Sequence, residues 1–188
     1  MFVKNLRTSQ STIVYFSIYL VSVLFGCLAF SFGAVASDRI SIGIGNANDD
    51  IEAYRVSFQR DFGQAWFTDY KWSLSGYWDA SINLWKDDES IAALALSPVF
   101  TFSPNRSTGT KPYIEVGVGA ALISGREIAG RDLSSTFQFE DRIGFGIRLG
   151  EKQLHDINFR FTHYSNASLR LPNDGIDIYM LNYGYAIN

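Results

Sequence analysis

The sequence is 188 residues long and 47% hydrophobic, which provides enough apolar material for one core or one membrane surface and excludes a disordered chain. The formal net charge is −3 at pH 7, from 16 Lys and Arg against 19 Asp and Glu. Because the Lys and Arg residues are scattered, the sequence has no basic surface of the kind that binds nucleic acid, and we expect no nucleic-acid partner.

The first 36 residues are typical of an export signal. Two basic residues precede a long apolar run over residues 13–32, and Ala34-Val35-Ala36 fits a cleavage site. The sequence therefore predicts a signal peptide at residues 1–36 and one domain at residues 37–188. The apolar run is also long enough to cross a bilayer, so an uncleaved anchor is the alternative. The one cysteine, Cys27, lies in this segment, so a chain cleaved after Ala36 would have no disulfide and no catalytic thiol.

Beyond residue 37 the sequence alternates between apolar and polar residues in eight runs. In chain order these runs are residues 40–45, 52–60, 72–85, 91–102, 113–123, 137–149, 157–166 and 176–187. Polar or Gly/Pro-rich clusters separate the runs, and no segment has helical periodicity over a useful length. A period of two residues is typical of half-buried strands, so the sequence predicts an all-β fold of eight antiparallel strands.

The composition of the two strand faces distinguishes a soluble barrel from a membrane barrel. One face carries bulky Phe, Ile and Leu in nearly every strand, whereas the other carries Gly, Ser, Glu and Arg. The small and charged residues suit a narrow bore, and the bulky residues suit lipid. Aromatic residues near strand ends, among them Trp72, Trp85 and Tyr183, fit interfacial girdles. The sequence therefore predicts an eight-stranded antiparallel transmembrane β-barrel, with a soluble lipocalin-like barrel as the alternative.

The direction of the first strand determines which loops lie outside the cell. If the N-terminus lies in the periplasm, the first strand runs outward. The outer loops are then residues 46–50, 86–90, 124–136 and 166–175, and the periplasmic turns include residues 103–110 and 150–153. We expect the lipid-facing wall to include Phe139, Phe145, Phe159, Phe161 and Leu181, and the bore to include Glu115, Arg148 and Arg160.

A polar cluster interrupts the apolar faces near the outer ends of three predicted strands. His163 and Ser165 end the apolar face of the seventh strand, Asp177 begins the eighth, and Asp141 lies near the outer start of the sixth. Neighbouring strands are about 4.8 Å apart, so these side chains can converge. One interpretation is a triad, with Ser165 as nucleophile, His163 as base and Asp177 as the acid that orients the imidazole. The other is a set of interfacial polar residues at strand ends.

Four sequence blocks carry a more specific pattern. They are His163-Tyr164-Ser165-Asn166-Ala167, Pro172-Asn173-Asp174-Gly175, Phe139-Glu140-Asp141-Arg142-Ile143-Gly144 and Ser75-Gly76-Tyr77-Trp78-Asp79-Ala80. These blocks resemble the lipid A 3-O-deacylase (PagL) family of outer-membrane enzymes, and the resemblance covers most of the mature chain. It implies a serine esterase on the outer wall of an eight-stranded barrel, which removes the 3-O-linked hydroxyacyl chain from lipid A.

The resemblance also assigns roles to individual residues. It places the family's serine and histidine on Ser165 and His163, and its acid on Asp177. The family's acid is normally glutamate, so the shorter aspartate needs a closer backbone or help from a second carboxylate, for which Asp141 is the candidate. The family's supporting positions fall on Phe139, Asp141, Asn166, Ala167 and Asn173. The oxyanion donors are either the side-chain amide of Asn166 or the backbone N–H groups of Ala167 and Ser168.

The predicted partner is lipopolysaccharide in the outer leaflet of a Gram-negative outer membrane. We expect no cofactor and no metal, because no His, Cys and carboxylate set has zinc-like spacing. Two other functions are alternatives: hydrolysis of glycerophospholipids by the same triad, and a non-enzymatic structural or adhesive barrel. An adhesive barrel would be expected to have longer outer loops than most of those predicted here. Whether the barrel is a monomer or a homodimer is left open.

Overall fold

The predicted alternating runs all form β-strands. The structure is a computed structural model that describes residues 38–47 and 51–187. Its strands are β1 (Asp38–Ala47), β2 (Glu52–Asp61), β3 (Trp72–Lys86), β4 (Ser90–Pro104), β5 (Lys111–Ile123), β6 (Glu127–Ile128), β7 (Arg131–Asp132), β8 (Phe137–Leu149), β9 (His155–Ser165) and β10 (Ile176–Ala186). The predicted signal peptide at residues 1–36 lies outside the described residues. The short β6–β7 hairpin was not predicted from the sequence.

Eight of these strands close into one antiparallel barrel in the order β1-β10-β9-β8-β5-β4-β3-β2. β8 pairs with β5 across the β6–β7 hairpin, and β1 pairs with β10 to complete the circle. Closure pairs both edges of each of the eight barrel strands described here, which a structure in lipid requires because lipid cannot satisfy backbone polar groups. In the described part of the chain, no helix is long and apolar enough to cross a membrane.

The outer wall of the barrel is apolar, as the alternation predicted. Phe145 on this wall is 62% exposed, and Phe159 and Leu181 are also exposed. Phe139 and Phe161 share this outward face and are half-buried. Exposed apolar surface of this extent belongs against lipid rather than water. The structure therefore confirms the membrane-barrel prediction and excludes a lipocalin-like barrel, whose apolar residues would face inward.

The middle of the bore contains a network of buried, paired charges. Arg55 donates to Asp79 at 2.7 Å and to Glu140 at 3.1 Å. Arg160 donates to Glu115 at 2.7 Å, and Glu115 is only 1% exposed. Pairing offsets the large cost of removing each charge from water. Because Arg55 is on β2 and Glu140 is on β8, the network also connects strands from opposite sides of the barrel.

The two ends of the barrel differ. The connections at residues 87–89, 124–136 and 166–175 lie at one end, here called the upper end, and those at residues 62–71 and 150–154 lie at the other, lower end. An apolar cluster that the sequence did not predict closes the bore near its upper end; its larger members include Ile51, Trp85, Ile91, Ile128, Leu133, Tyr164, Ile176 and Ile178.

The assignment of Trp85 to an interfacial girdle is wrong. Trp85 is fully buried inside the barrel, and its ring centroid lies 4.7 Å from that of Tyr164. The residue shares the inward parity of Asn83, so it can reach only the bore. Near the strand end it packs against Tyr164 in the apolar cluster and not against lipid.

Candidate active site

The strand register brings the predicted polar residues into one patch at the upper end of the outer wall. His163 on β9 is paired with Asp177 on β10 and with Asp141 on β8, so these three residues form a row across the sheet. Ser165 lies two residues further along β9 and is paired with Phe139. All five side chains are on the outward face, and all are half-buried.

Asp177 contacts the imidazole of His163 directly. The Nδ1 atom of His163 and the Oδ1 atom of Asp177 are 2.6 Å apart, which is the distance of a strong, charge-assisted hydrogen bond. A carboxylate at Nδ1 holds the proton on that atom and leaves Nε2 as the acceptor. The shorter aspartate reaches the ring because the two residues lie opposite each other in the register. Among the described residues, Asp141 makes no hydrogen bond to the imidazole.

Ser165 lies on the same face of β9 as His163. Side chains two residues apart on a strand point the same way, so the hydroxyl and the imidazole occupy neighbouring positions on the outer wall. Within the described part of the chain there is no hydrogen bond between them. Such bonds are often long before substrate binds and shorten in the reacting complex.

The chain turns sharply after Ser165. Ala167 and Ser168 have φ angles of 52° and 61°, which non-glycine residues rarely adopt. Their backbone N–H groups have no hydrogen-bond partner among the described residues. Strained backbone of this kind is concentrated at functional sites, where it directs particular groups. Two free N–H groups therefore lie two and three residues after the candidate nucleophile.

The side chain of Asn166 anchors this turn from inside. It is fully buried; its Nδ2 atom donates to the carbonyl oxygen of Leu133 at 3.0 Å, and its Oδ1 atom accepts from the backbone N–H of Arg170 at 3.3 Å. Both ends of the amide are therefore engaged away from the outer wall. Of the two sets of oxyanion donors that the sequence left open, these contacts favour the backbone N–H groups.

Asn173 contributes a second amide to the site. Its Oδ1 atom accepts a hydrogen bond from the backbone N–H of Asn166 at 3.0 Å. Because a backbone N–H can only donate, the atom facing it must be the oxygen, and the Nδ2 donor then points away. That donor has no partner among the described residues. The residue that follows Ser165 thus orients the carboxamide of Asn173.

The β6–β7 hairpin holds the 166–175 loop in place, and sequence reasoning missed this role. The carboxylate of Asp174 accepts a hydrogen bond from the backbone N–H of Asp132 at 2.8 Å, and the Asp174 N–H donates to the Asp132 carbonyl oxygen at 3.2 Å. The guanidinium of Arg131 lies 3.5 Å from the carbonyl oxygen of Gly175. The only sequence signal was the polar character of both loops, which does not identify partners.

An apolar groove descends the outer wall from His163. Its upper part has a volume of about 430 Å³ and is lined by Phe100, Val116, Val118, Ile143 and Phe161, with His163 and Asp141 at its upper edge. A lower hollow of about 330 Å³ shares Ile143 and Phe161 and continues past Phe145 and Phe159. The two hollows together have the shape and chemistry to hold an extended hydrocarbon chain along the barrel.

The closed barrel, with its apolar wall and charged bore, is that of an outer-membrane β-barrel protein. Residues 52–186 match the model of the family described as Lipid A 3-O-deacylase (PagL). This chain belongs to that family.

Individual relatives agree with this assignment. The chain is 36% identical over 153 residues to lipid A deacylase PagL of Pseudomonas aeruginosa, and the aligned region covers 80% of this chain and 86% of that protein. It is 42% identical over 78 residues to lipid A deacylase PagL of Bordetella bronchiseptica, over 42% of this chain and 43% of that protein. A crystal structure of the outer membrane enzyme PagL superimposes with a TM-score of 0.74 at 34% identity, over 79% of this chain and 99% of that one.

Proposed function

We propose that this protein is an outer-membrane lipid A 3-O-deacylase that works through Ser165, His163 and Asp177 on its outer wall. As a member of the family it is a hydrolase of the outer membrane. The observation that carries the assignment of residues is the 2.6 Å contact between His163 Nδ1 and Asp177, with Ser165 on the same face of β9. A base oriented by a carboxylate beside a hydroxyl is the arrangement that nucleophilic ester hydrolysis requires.

In the acylation step, His163 Nε2 takes the proton from the hydroxyl of Ser165 as the oxygen attacks the carbonyl carbon of the ester. The imidazolium that forms is stabilised by Asp177. The tetrahedral intermediate collapses when His163 passes its proton to O3 of the sugar, which leaves as the alcohol. The acyl chain is then esterified to Ser165.

In the deacylation step, water replaces the sugar hydroxyl. His163 takes a proton from the water as its oxygen attacks the acyl-serine, and it returns that proton to Ser165 when the ester bond breaks. The products are a 3-hydroxy fatty acid and lipid A with a free hydroxyl at position 3. The free enzyme is regenerated with the hydroxyl of Ser165 protonated and Nε2 of His163 again able to accept a proton.

The oxyanion of both intermediates requires donors close to Ser165. The Nδ2 group of Asn173 and the backbone N–H groups of Ala167 and Ser168 are the candidates, because all three lack partners among the described residues. Donors that are fixed before the reaction lower its barrier more than donors that must reorganise. The hydrogen bond between Asn166 and Asn173 and the left-handed turn supply that fixation.

The apolar groove below His163 is the proposed site of the acyl chain that is removed. Its position puts the ester at the polar upper edge and the hydrocarbon against Ile143 and Phe161. We propose that the upper end faces the cell exterior, because lipid A occupies the outer leaflet. The lower end, where β1 begins, then faces the periplasm, as expected if residues 1–36 are removed during export.

The test is mass spectrometry of lipid A from Gram-negative cells that lack this activity and express either the parent chain or the Ser165→Ala variant. We expect the parent chain to remove one 3-hydroxyacyl chain and the folded variant to remove none. Glycerophospholipids from the same cells are measured in parallel. Lysophospholipid formation without lipid A deacylation would mean that the protein is a phospholipid esterase. No change in either lipid would contradict the enzymatic proposal.

A further inference from the structure

Gly175 packs against the edge of the imidazole that does not face Asp177. It is buried immediately before β10 and has a φ of +64°. A Cβ atom on this residue would lie 2.9 Å from Cε1 of His163, 3.5 Å from its Nε2 and 3.1 Å from the carbonyl oxygen of Tyr164. The first of these distances is shorter than a normal contact between carbon atoms. A side chain at this position would therefore force a neighbouring group to move, independently of the effect of its φ.

The backbone at Gly175 is held in place on its other side. Asp174, the preceding residue, exchanges two hydrogen bonds with the backbone of Asp132, at 2.8 and 3.2 Å, and Arg131 contacts the carbonyl oxygen of Gly175. A side chain at position 175 would meet resistance from this loop pair. The imidazole has only the contact with Asp177 among its hydrogen bonds to described residues, so it is the group that would move.

We infer that Gly175 is a positioning residue for the general base. Its Cα surface prevents the ring of His163 from rotating away from Asp177, and its lack of a side chain leaves the Nε2 edge open towards Ser165 and the ester. This inference rests on the proposed function, in which Nε2 carries the proton between Ser165 and the sugar oxygen.

A purely conformational role is the competing explanation, because a left-handed φ favours glycine at any position. The chain provides matched controls for that effect. Gly130 and Gly109 have φ angles of +73° and +74°, and a Cβ atom on either would meet nothing within 4 Å. Gly130→Ala thus introduces the same backbone strain as Gly175→Ala, but its methyl group would not contact the catalytic base. Gly130 lies in the neighbouring loop at the upper end of the barrel.

The kinetic experiment compares Gly175→Ala, Gly130→Ala and the parent as full chains refolded in detergent micelles, with folding checked by heat-modifiable gel migration. We expect Gly175→Ala to lower kcat by about 10²-fold with little change in KM, since a misplacement of about 1 Å costs that much. Gly130→Ala should retain the parent kcat. Equal losses in the two variants, or parent activity in Gly175→Ala, would overturn the inference. If Gly175→Ala does not fold, Gly175→Asn tolerates the φ and keeps the contact.

A second readout is independent of turnover. The chain contains two histidines, so NMR of ¹³C-labelled imidazoles resolves His163 with His155, at the lower end of β9, as an internal reference. Gly175→Ala should shift the Cε1–H resonance of His163 and leave that of His155 unchanged, and Gly130→Ala should shift neither. An unshifted His163 would overturn the positioning role even if the proposed reaction stands. If the parent chain has no deacylase activity but Gly175→Ala still shifts the resonance of His163, the proposed function would be overturned while the contact between Gly175 and His163 would stand.

Discussion

The inner and outer faces of β8 and β9 at the upper end of the barrel differ in how their polar groups are used. Tyr164 lies between His163 and Ser165 in the sequence but points inward, where its hydroxyl donates to Glu140 at 2.5 Å. Glu140 is fully buried and also accepts from Arg55 at 3.1 Å. The outward residues on either side have few partners. One pair of strands thus gains rigidity from its inner face and carries reactive groups on its outer face.

The largest expected effect is on the outer face. We expect Ser165→Ala and His163→Ala each to lower deacylation by about 10⁴-fold or more, because the nucleophile and its base act as a unit. Neither side chain has packed partners in the bore, so both variants should refold with the heat-modifiable migration of the parent. Residual turnover near the parent value in either variant would show that the reaction does not use this pair.

The next effect concerns the two outward carboxylates beside His163. Asp177→Asn should lower kcat by about 10²- to 10⁴-fold, because the amide cannot stabilise the imidazolium or hold the required tautomer. Asp177→Glu should be tolerated, since it keeps a carboxylate beside the imidazole and is the residue type that the sequence resemblance leads us to expect there. Asp141→Asn should have the smaller effect, as Asp141 lacks a hydrogen bond to the ring among the described residues.

Steady-state rates of these three variants on lipid A decide between the carboxylates. A larger loss of rate in Asp141→Asn than in Asp177→Asn would mean that Asp141 on β8, and not Asp177, is the acid of the triad. Near-parent rates in both Asn variants would reduce the triad to a Ser-His pair.

Glu140 and Asp141 are adjacent on β8 but point to opposite faces, so variants at these two positions compare how much each face contributes to stability. Among the described residues, Glu140→Ala leaves Asp79 as the one carboxylate that pairs with both Arg55 and Arg142, so one buried positive charge loses its compensation, and the free energy of unfolding should fall by about 3–5 kcal/mol. Asp141→Ala, one residue further along and outward, should change it by less than about 1 kcal/mol. Denaturant unfolding of both variants in micelles measures the difference. Equal destabilisation would mean that the inner face does not carry the stability of this region.

The smallest effect is at the turn after Ser165. Ser168→Gly should raise the free energy of unfolding by up to about 1 kcal/mol, because glycine adopts the φ of 61° without strain. Leu169→Gly, at the next residue, which lacks a positive φ, should lower it by about 0.5–1 kcal/mol. The same unfolding assay serves both variants. A loss of stability in Ser168→Gly would show that its hydroxyl, and not its backbone, matters for this turn.

The sequence was sufficient to predict the barrel and to predict which residues lie in the polar patch on its outer wall. Alternation at period two determines both the strands and their faces, so the outward positions of His163, Ser165 and Asp177 follow from counting residues. Counting did not show that Asp177 would reach the imidazole, because that depends on the register between β9 and β10. The register in turn depends on the connection at residues 166–175, which has no periodicity.

Features that depend on the loops were the ones that the sequence did not predict. Trp85 was assigned to lipid although its parity is inward, because an aromatic residue near a strand end fits a girdle as well as a buried cluster. The contacts of Asn166 with Leu133, and of Asp132 with Asp174, join loops that are far apart in the sequence. Polar residues in two loops do not identify each other as partners without the barrel that brings them together.

The central claim is that the outer patch, and not the bore or the loops, carries out the reaction. The most direct measurement is to treat the refolded barrel in micelles with a long-chain alkyl fluorophosphonate, which phosphonylates an activated serine and releases fluoride, and to locate the adduct by peptide mass spectrometry. We predict one adduct, on Ser165, that forms at least about 10²-fold more slowly in His163→Ala. An adduct on another serine, or labelling of Ser165 at the same rate without His163, would contradict this account.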